Sequence, residues 1–591
     1  MSLDIARSIA FSGLWATQVQ ISVASANIAN ADTKGYTAKT ANQASSITSG
    51  VGTGVTVTGI TSTVDKLLLK SLIGANSDLG SAGTINSYLT ELAQLYGSTA
   101  SASSSTTGTS LANKLAAFGS ALTSLASTPG SASLQSNAIS ALNAVATQLR
   151  ETSSSIQKLR ANADQDISAS VDDVNTDVQQ IADLNAEIRQ QAATGGSTAD
   201  LEDQRNMALQ DLSSKMNVSY YTASNGDLQV YTSSGQSLVD TVAHTLSYAP
   251  AANVTASTTY SSGSSSGFSA ITLNGVDITS QITSGKIGAL ITLRDQTLPA
   301  AQSQLDQLAQ QLVSSLNAVS NQGTAVPPPA SLTGTATVSS STALSATGTV
   351  RLAVSDKSGN LVSYQDLDLS SYATVGDLVS AINAISGLTA SIDSSGHLKI
   401  ASTGSGNGVA INEMTSSVGS GGEGFSDYFG LNDLVTGTGA SSFAVRSDIL
   451  TGSAALPTAT LSSSATLTTG SQVLSSGSAT IVNALYGKLT GSTSFAAAGG
   501  LAATTGSFAD YAAAIVSNVA SKASLASATY TARSTAQSTY ASSLSSESGV
   551  NLDEETARLS SLQNKYAAAS ELIQTLNTMF SALISAVQSA G

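Results

Sequence analysis

Few residues of this sequence could carry out acid–base or metal chemistry. The chain of 591 residues contains no cysteine and only two histidines, His244 and His397. Without cysteine it has no thiolate nucleophile, no sulfur ligand for a metal and no disulfide. An imidazole-based catalytic or zinc site would need both histidines, whereas isolated histidines are common on protein surfaces. We therefore predict no catalytic residues, no metal ligands and no cofactor.

Two other patterns could carry chemistry, and both are weak. Five acidic residues lie on the opposite face of a long segment with helical spacing, but without the order of ligands that a calcium-binding EF-hand requires, which favours a solvated helix face; they are Asp172, Asp173, Asp177, Asp183 and Glu187. Residues 404–408 are rich in glycine but lack the strand and helix that flank a nucleotide-binding loop. These patterns predict a protein that is not an enzyme.

The composition excludes several classes of partner. Asp and Glu total 38 against 23 for Lys and Arg, a formal net charge of −15. Nucleic acids and anionic membranes attract basic surfaces, so neither is expected as a partner. No segment approaches the ~18 consecutive apolar residues of a membrane span, and residues 1–16 lack the apolar core of a cleaved signal peptide. We predict no membrane insertion, and any export would proceed without a cleaved signal.

The elements that remain informative are the two ends of the chain. Near the C-terminus, apolar residues alternate at spacings of three and four, and no Gly or Pro interrupts residues 552–590. This spacing is the a/d pattern of a coiled coil, and three acidic residues at 553–555 favour a helix N-terminus there. The predicted interface residues are Leu559, Leu562, Tyr566, Ile573, Leu576, Phe580, Leu583 and Val587.

The N-terminus carries a matching pattern. Residues 3–31 predict a helix about 40 Å long at 1.5 Å per residue, which the segment 32–36 stops, with Gly35 suited to a left-handed C-terminal cap. Its predicted interface residues are Ile5, Ile9, Leu14, Val19, Ile21, Val23 and Ile28.

Each terminal helix has an apolar stripe and no nearby segment to cover it. One interpretation is that both helices pack on an ordinary domain. The other is that they pair with each other and bury their outer stripes against neighbouring subunits. Isolated helices are marginally stable in water, so the second interpretation predicts that both ends are largely disordered before assembly.

The middle of the chain predicts a mainly α fold with inserted β domains. Helical spacing dominates residues 67–215, 291–326 and 440–544, which we assign to a helical rod. Two-residue alternation at residues 216–290 and 330–439 predicts two strand-rich domains, with strands expected at 228–231 and 271–275. Residues 1–66 and 545–591 form the predicted terminal coiled-coil domain.

Short motifs at both ends resemble those of flagellar axial proteins. Residues 25–30 and 33–37, with Asn27, Asn30, Gly35 and Tyr36, are similar to the N-terminal signature of rod, hook and hook-associated proteins. Residues 548–555, with Asn551 and Leu552, resemble the hook-associated proteins more specifically, as do residues 425–434 and 443–449. Residues 367–400 resemble the small inserted domain of flagellin-like chains.

This resemblance implies a structural subunit of the hook–filament junction that links hook to filament and permits filament assembly. It implies a helical ring of identical subunits whose partners are the hook subunit and the second junction protein. It also implies type III export to the extracellular flagellum without a cleaved signal, assisted by a dedicated chaperone at the C-terminal helix. The alternatives are another axial protein (second junction protein, hook subunit or flagellin-like chain) and, further away, a surface adhesin.

Overall fold

The computed structural model describes residues 3–48, 50–97, 110–263 and 267–590. The helices of this part of the chain are α1 (Leu3–Ala29), α2 (Lys66–Leu95), α3 (Leu111–Ser127), α4 (Ala132–Ala193), α5 (Ala199–Lys215), α6 (Gly285–Thr292), α7 (Leu298–Ser320), α8 (Val375–Asn383), α9 (Phe425–Phe429), α10 (Ser447–Leu450), α11 (Thr480–Thr490), α12 (Phe508–Ser548) and α13 (Leu552–Ala590).

The strands are short and pair in antiparallel sheets. They are β1 (Lys39–Thr48), β2 (Val51–Ser62), β3 (Val218–Thr222), β4 (Leu228–Thr232), β5 (Ser237–Val239), β6 (Leu246–Ser247), β7 (Thr272–Leu273), β8 (Val276–Asp277), β9 (Ser331–Thr337), β10 (Thr349–Asp356), β11 (Leu361–Asp368), β12 (Leu388–Ile392), β13 (His397–Ser402), β14 (Asn407–Asn412), β15 (Val435–Thr436), β16 (Ala444–Val445), β17 (Thr493–Phe495) and β18 (Thr504–Gly506). The predicted class, mainly α with inserted β domains, is confirmed.

A rod of packed helices forms the centre of the molecule. Its longest element is α4, whose 62 residues span about 93 Å at 1.5 Å per residue. Apolar side chains at spacings of three and four along α4 are buried against α3, α5, α6 and α7, while α12 packs along α2. The fully buried positions on α4 include Leu149, Ile156, Val174 and Ile181. This spacing predicts a helix that is covered along one face, as observed.

Two small sheets, β3–β4–β5 and β6–β7–β8, lie against the rod. Asparagine side chains of α4 complete the edges of these sheets. Asn185 Nδ2 donates to the Leu228 carbonyl at 2.9 Å and its Oδ1 accepts from the Leu228 N–H, also at 2.9 Å. The strand predicted at 271–275 is shorter than expected, because Asn274 and Gly275 have φ of +52° and +79° and form the turn between β7 and β8.

A second strand-rich domain follows α7. The sheets β11–β10–β14 and β12–β13–β9, with α8, enclose a separate apolar core. A later segment of the chain, between α10 and α11, also contacts this domain. Leu461, Val473 and Leu474 pack against Ala353 and Ala410, although the periodicity assigns residues 440–544 to the rod. The inserted domain is therefore built from two separate stretches of the chain.

The joint between α7 and the inserted domain is polar. Asn321, which follows α7 and is buried, donates from Nδ2 to Asp433 at 2.7 Å and to Asp427 at 3.2 Å. Burial raises the pKa of Asp427 to about 6, and the charges of Asp433 and Glu423 act in the same direction. The pKa of Asp433 is also raised by burial, against the lowering effect of its hydrogen bonds to Thr335 and Asn321.

Candidate functional site: the terminal helix pair and its anchor on the rod

The two ends of the chain form one antiparallel helix pair. Helix α1 packs along α13. At one end of the pair the Ala38 N–H donates to the Ser548 carbonyl at 2.8 Å, just before α13 begins. At the other end the guanidinium of Arg7 lies 5.8 Å from the ring centroid of Phe580. The first residues of α1 therefore lie beside the last third of α13.

The predicted interface residues are covered to different degrees in the single chain. Val23 of α1 and Leu562 of α13 are buried. The half-buried ones are Ile5, Ile9, Leu14, Val19, Ile21 and Ile28 of α1, and Leu559, Tyr566, Ile573, Leu576 and Phe580 of α13. Leu583 and Val587 are exposed, at 56% and 67%, because the 39-residue α13 continues past the start of the 27-residue α1.

Further apolar side chains of the two helices are exposed to water, and several of them lie outside the predicted three-and-four spacing. Phe11 and Trp15 of α1 are 58% and 59% exposed, four residues apart on one face. Leu572 and Met579 of α13 are each 52% exposed and seven residues apart, one position before Ile573 and Phe580. The spacing of seven residues could have revealed Leu572 and Met579, but these residues lie beside the predicted interface stripe of α13. We use the name uncovered apolar face for these four residues together with the exposed residues near the end of α13, which are Leu583, Ile584 and Val587.

The N-terminal motif closes the turn between α1 and β1. Asn27 is fully buried, and its side chain donates to the Lys39 carbonyl at 2.9 Å and accepts from the Lys39 N–H at 3.0 Å. The Tyr36 hydroxyl donates to Asn27 Oδ1 at 2.9 Å. An asparagine is needed at position 27 because the side chain must donate and accept at once.

Gly35 does not cap α1 as expected, and Asn30 is the motif residue at the end of the helix. Helix α1 ends at Ala29, where Asn30 Nδ2 donates to the Ala26 carbonyl at 2.9 Å. Gly35 has φ of +80°, as expected for a left-handed residue, but it lies in the turn after the helix. A side chain at Gly35 would also collide with Met207 of α5. Gly35 therefore permits close packing of this turn on the rod.

A cluster of charged residues, which we call the anchor, fixes the turn to α5. Lys39 Nζ lies 2.8 Å from Asp203 and 2.9 Å from Asp200. Asp203 also accepts from the Thr37 N–H at 3.0 Å and from the Thr37 hydroxyl at 2.6 Å. Burial of the ammonium acts to lower the pKa of Lys39, but the hydrogen bonds to Asp203 and Asp200 outweigh it and the pKa is raised. No sequence pattern predicts that Thr37 and Lys39 contact Asp203.

The C-terminal motif forms the other side of this junction. Asn551 Oδ1 accepts from the N–H groups of Asp553 and Glu554, at 3.1 and 3.3 Å, and so caps the start of α13. The hydroxyl of buried Ser548 accepts from the Asp65 N–H at 3.2 Å, where α2 begins. Leu552 itself is 46% exposed. Both motifs thus meet at the place where the terminal pair joins the rod.

The histidines do not form a shared site. His244 Nε2 lies 2.9 Å from Asp240 beside β5, and His397 Nδ1 lies 3.7 Å from Asp393 at the start of β13. Within the described ranges, no group of three or more His, Cys, Asp or Glu residues is arranged to hold a metal ion. No helix in the same ranges is long and apolar enough to cross a membrane.

Family models match four parts of the chain. The helical domain of flagellar hook-associated protein FlgK matches residues 98–328, and the flagellin hook IN motif matches residues 349–404. The flagella basal body rod protein model matches residues 8–37. The C-terminal model of the flagellar basal body rod FlgEFG proteins matches residues 541–586. The last two matches coincide with α1 and its motif, and with most of α13.

Two curated relatives are also flagellar hook-associated proteins. Flagellar hook-associated protein 1 of Escherichia coli K12 is 26% identical over 311 residues, which cover 51% of this chain and 54% of that protein. The protein of the same name from Salmonella typhimurium LT2 is 25% identical over 324 residues, 53% and 56% of the two chains. The chain thus spans about half the length of the curated relatives that it matches.

A solved structure is also similar. The flagellar hook junction protein FlgK from Burkholderia pseudomallei aligns with 80% of this chain and 98% of its own, at 17% identity and a TM-score of 0.45. The family of these relatives is structural and is not a family of enzymes. The matched models cover the ends, the helical rod and the inserted domain, and the curated relatives agree with them, so the chain is similar to the FlgK-like hook-associated proteins of the bacterial flagellum.

Proposed function

We propose that this chain is a structural subunit of the hook–filament junction, which links hook to filament and permits filament assembly. The observation that carries the proposal is the terminal helix pair. Its two helices are the regions matched by the flagellar rod models, and together they leave the uncovered apolar face in water. A face of this kind on a soluble chain favours contact with further protein.

The partners follow from the same proposal. Copies of the chain assemble side by side in a helical ring, with the uncovered apolar face of one pair packed on the next. Such heterologous contacts between identical subunits build rings or helical lattices. The hook subunit lies on one side of the ring and the second junction protein on the other, and a dedicated chaperone holds α13 before export. The location is the extracellular flagellum, and the chain has no enzymatic activity.

A hook or rod subunit is the second candidate. The family models that match the two ends of the chain are named after rod proteins. Taken alone, these two matches would favour a hook or rod subunit. The match over residues 98–328 is named after the hook-associated protein, and it favours the junction.

The substitution Leu576→Asp tests the proposal. Leu576 is half-buried on α13, three residues after Ile573 and four before Phe580. A carboxylate there loses part of its hydration when the pair packs, at a cost of about 2 kcal/mol or more per subunit. The main core contains no described residue of α1 or α13, so the rod should melt as in the unchanged protein. We expect no incorporation at the hook tip and flagellin released into the medium.

Asn577→Asp is the matched control, because it places the same charge on the next residue, which is exposed. It should assemble normally. Export is measured separately, as the amount of each variant in the medium of cells that cannot build filaments. If exported Leu576→Asp protein builds filaments at the normal frequency, the proposed role of this helix is wrong.

A further inference from the structure

An asparagine–glycine pair at an exposed turn lies beside a histidine–aspartate pair. Asn274 and Gly275 form the two-residue turn between β7 and β8, and both have positive φ. Asn274 Nδ2 lies 3.5 Å from His244 Nδ1. The other ring nitrogen of His244, Nε2, lies 2.9 Å from Asp240 Oδ2. This cluster is far along the chain from both terminal helices, and the proposed function does not use it.

We propose that Asn274 is a site of spontaneous deamidation through a cyclic imide, and that His244 assists the departure of ammonia. The amide nitrogen of Gly275 loses its proton to solvent and attacks Cγ of Asn274, which forms the ring. The Cγ–Nδ2 bond then breaks. Nδ1 of protonated His244 donates a proton to Nδ2, which leaves as ammonia, and solvent then returns a proton to His244. Water opens the imide at either carbonyl and leaves aspartate or isoaspartate.

The position of each group suits this sequence of steps. A positioned acid assists a reaction when it reaches the atom that must gain a proton, and Nδ1 faces the leaving nitrogen directly. The Asp240 carboxylate fixes the orientation of the ring through its contact with Nε2, so that Nδ1 stays directed at Asn274. Because a two-residue turn bonds residue i to residue i+3, the N–H of Gly275 stays outside the strand pairing.

The same chain contains two other Asn–Gly pairs, and both are restrained by hydrogen bonds or strand pairing. At 225–226 the Gly226 N–H donates to the Ala223 carbonyl at 3.0 Å, and Asn225 Nδ2 donates to Asp227 at 2.7 Å. At 407–408 both residues belong to β14 and pair with β10, and Gly408 is buried. By contrast β7 and β8 have two residues each, so that the turn at Asn274 opens at little cost.

The three pairs can be compared within one sample. The full-length protein is incubated at neutral pH and 37 °C, digested at intervals, and each Asn–Gly peptide is analysed by mass spectrometry and by enzymatic detection of isoaspartate. We expect the Asn274 peptide to convert first, at least about tenfold faster than the peptides of Asn225 and Asn407. Equal rates at Asn274 and Asn225 would overturn the proposal.

Variants separate assistance by His244 from simple exposure. His244→Gln should slow conversion of Asn274 by about three- to tenfold, below the range of positioned acids in enzymes. Asp240→Asn should slow it less, and His397→Gln, at the other histidine, should leave it unchanged. Thermal melting of each variant checks the fold. If the folded His244→Gln and Asp240→Asn proteins both convert at the original rate, His244 has no part in the reaction.

Discussion

Asp203 is the residue on which the attachment of the terminal pair to the rod depends. Its carboxylate takes three hydrogen bonds from Thr37 and Lys39. The side chains of Lys39 and Asp203 are only 5% and 7% exposed. Removing one partner of a buried ion pair leaves the other charge without compensation, and this loss costs more than the pair contributes.

The substitution Asp203→Asn should therefore loosen the anchor by about 2–4 kcal/mol. Hydrogen exchange of amides 36–48 should accelerate in the purified protein, while exchange in α4 stays unchanged. Asp200→Asn is the control, because Asp200 binds the same ammonium but is 73% exposed. Similar acceleration in both variants would show that the anchor does not rest on Asp203.

At the residue scale, the sequence could reveal the motif residues but not the residues that they contact. Asn27, Gly35 and Tyr36 were identifiable from their order in the motif, but their partners were not. Thr37 and Asp203 are separated by 166 positions, and no local spacing connects residues so far apart. The same holds for Met207, which lies against Gly35 although the two are far apart in the sequence.

At the scale of elements, the polar joint after α7 should make the stability of the inserted domain depend on pH. Asp427, Asp433 and Glu413 all have a raised pKa, chiefly through burial. Glu423 adds negative charge near Asp427, and Arg446 is the cation that acts on Asp433. A folded state with a raised carboxyl pKa binds more protons than the unfolded state between the two pKa values. Stability therefore falls as pH rises from about 4 to about 6.

We expect the inserted domain to melt at a higher temperature at pH 5 than at pH 7.5. Asp427→Asn should remove part of this difference and raise the melting temperature at pH 7.5 by roughly 2–4 °C. Asp368→Asn changes an exposed carboxyl at the end of β11 and serves as the comparison. A melting temperature of the Asp427→Asn protein that depends on pH as strongly as that of the original protein would refute this role of Asp427.

Long elements were predictable and short ones were not. Helices α4, α7, α12 and α13 follow from apolar spacing that is sustained over many turns. The hairpin of β1 and β2 was missed, although apolar and polar residues alternate from Val55 to Thr58, since the segment was assigned to the terminal helical domain. The contact of residues 461–474 with the inserted domain depends on tertiary packing that no local pattern records.

At the scale of the whole molecule, the ends should be less stable than the middle. The main core extends from Leu69 to Ala526, whereas most interface residues of α1 and α13 are half-buried or exposed. Elements with few buried apolar contacts open most easily. The free monomer should therefore expose both ends, as the terminal spacing predicts.

Trypsin should cut the purified monomer first after Lys34 and Lys565, which are exposed, and leave a resistant fragment that contains residues 66–548. Mass spectrometry of the fragments measures the order of cutting. Assembled protein should be protected at both positions. Protection of both ends in dilute monomer would contradict the prediction that they order on assembly.

The antiparallel pairing of α1 and α13 also has a mechanical consequence. The start of α1 and the end of α13 lie at the same end of the pair, so tension applied to these two helix ends would peel the helices apart one turn at a time. Force applied through the sides of the pair instead loads all of its turns together. Since each apolar contact is individually weak and the contacts are strong only as a set, the subunit should withstand load carried across its helix faces far better than load carried along its chain.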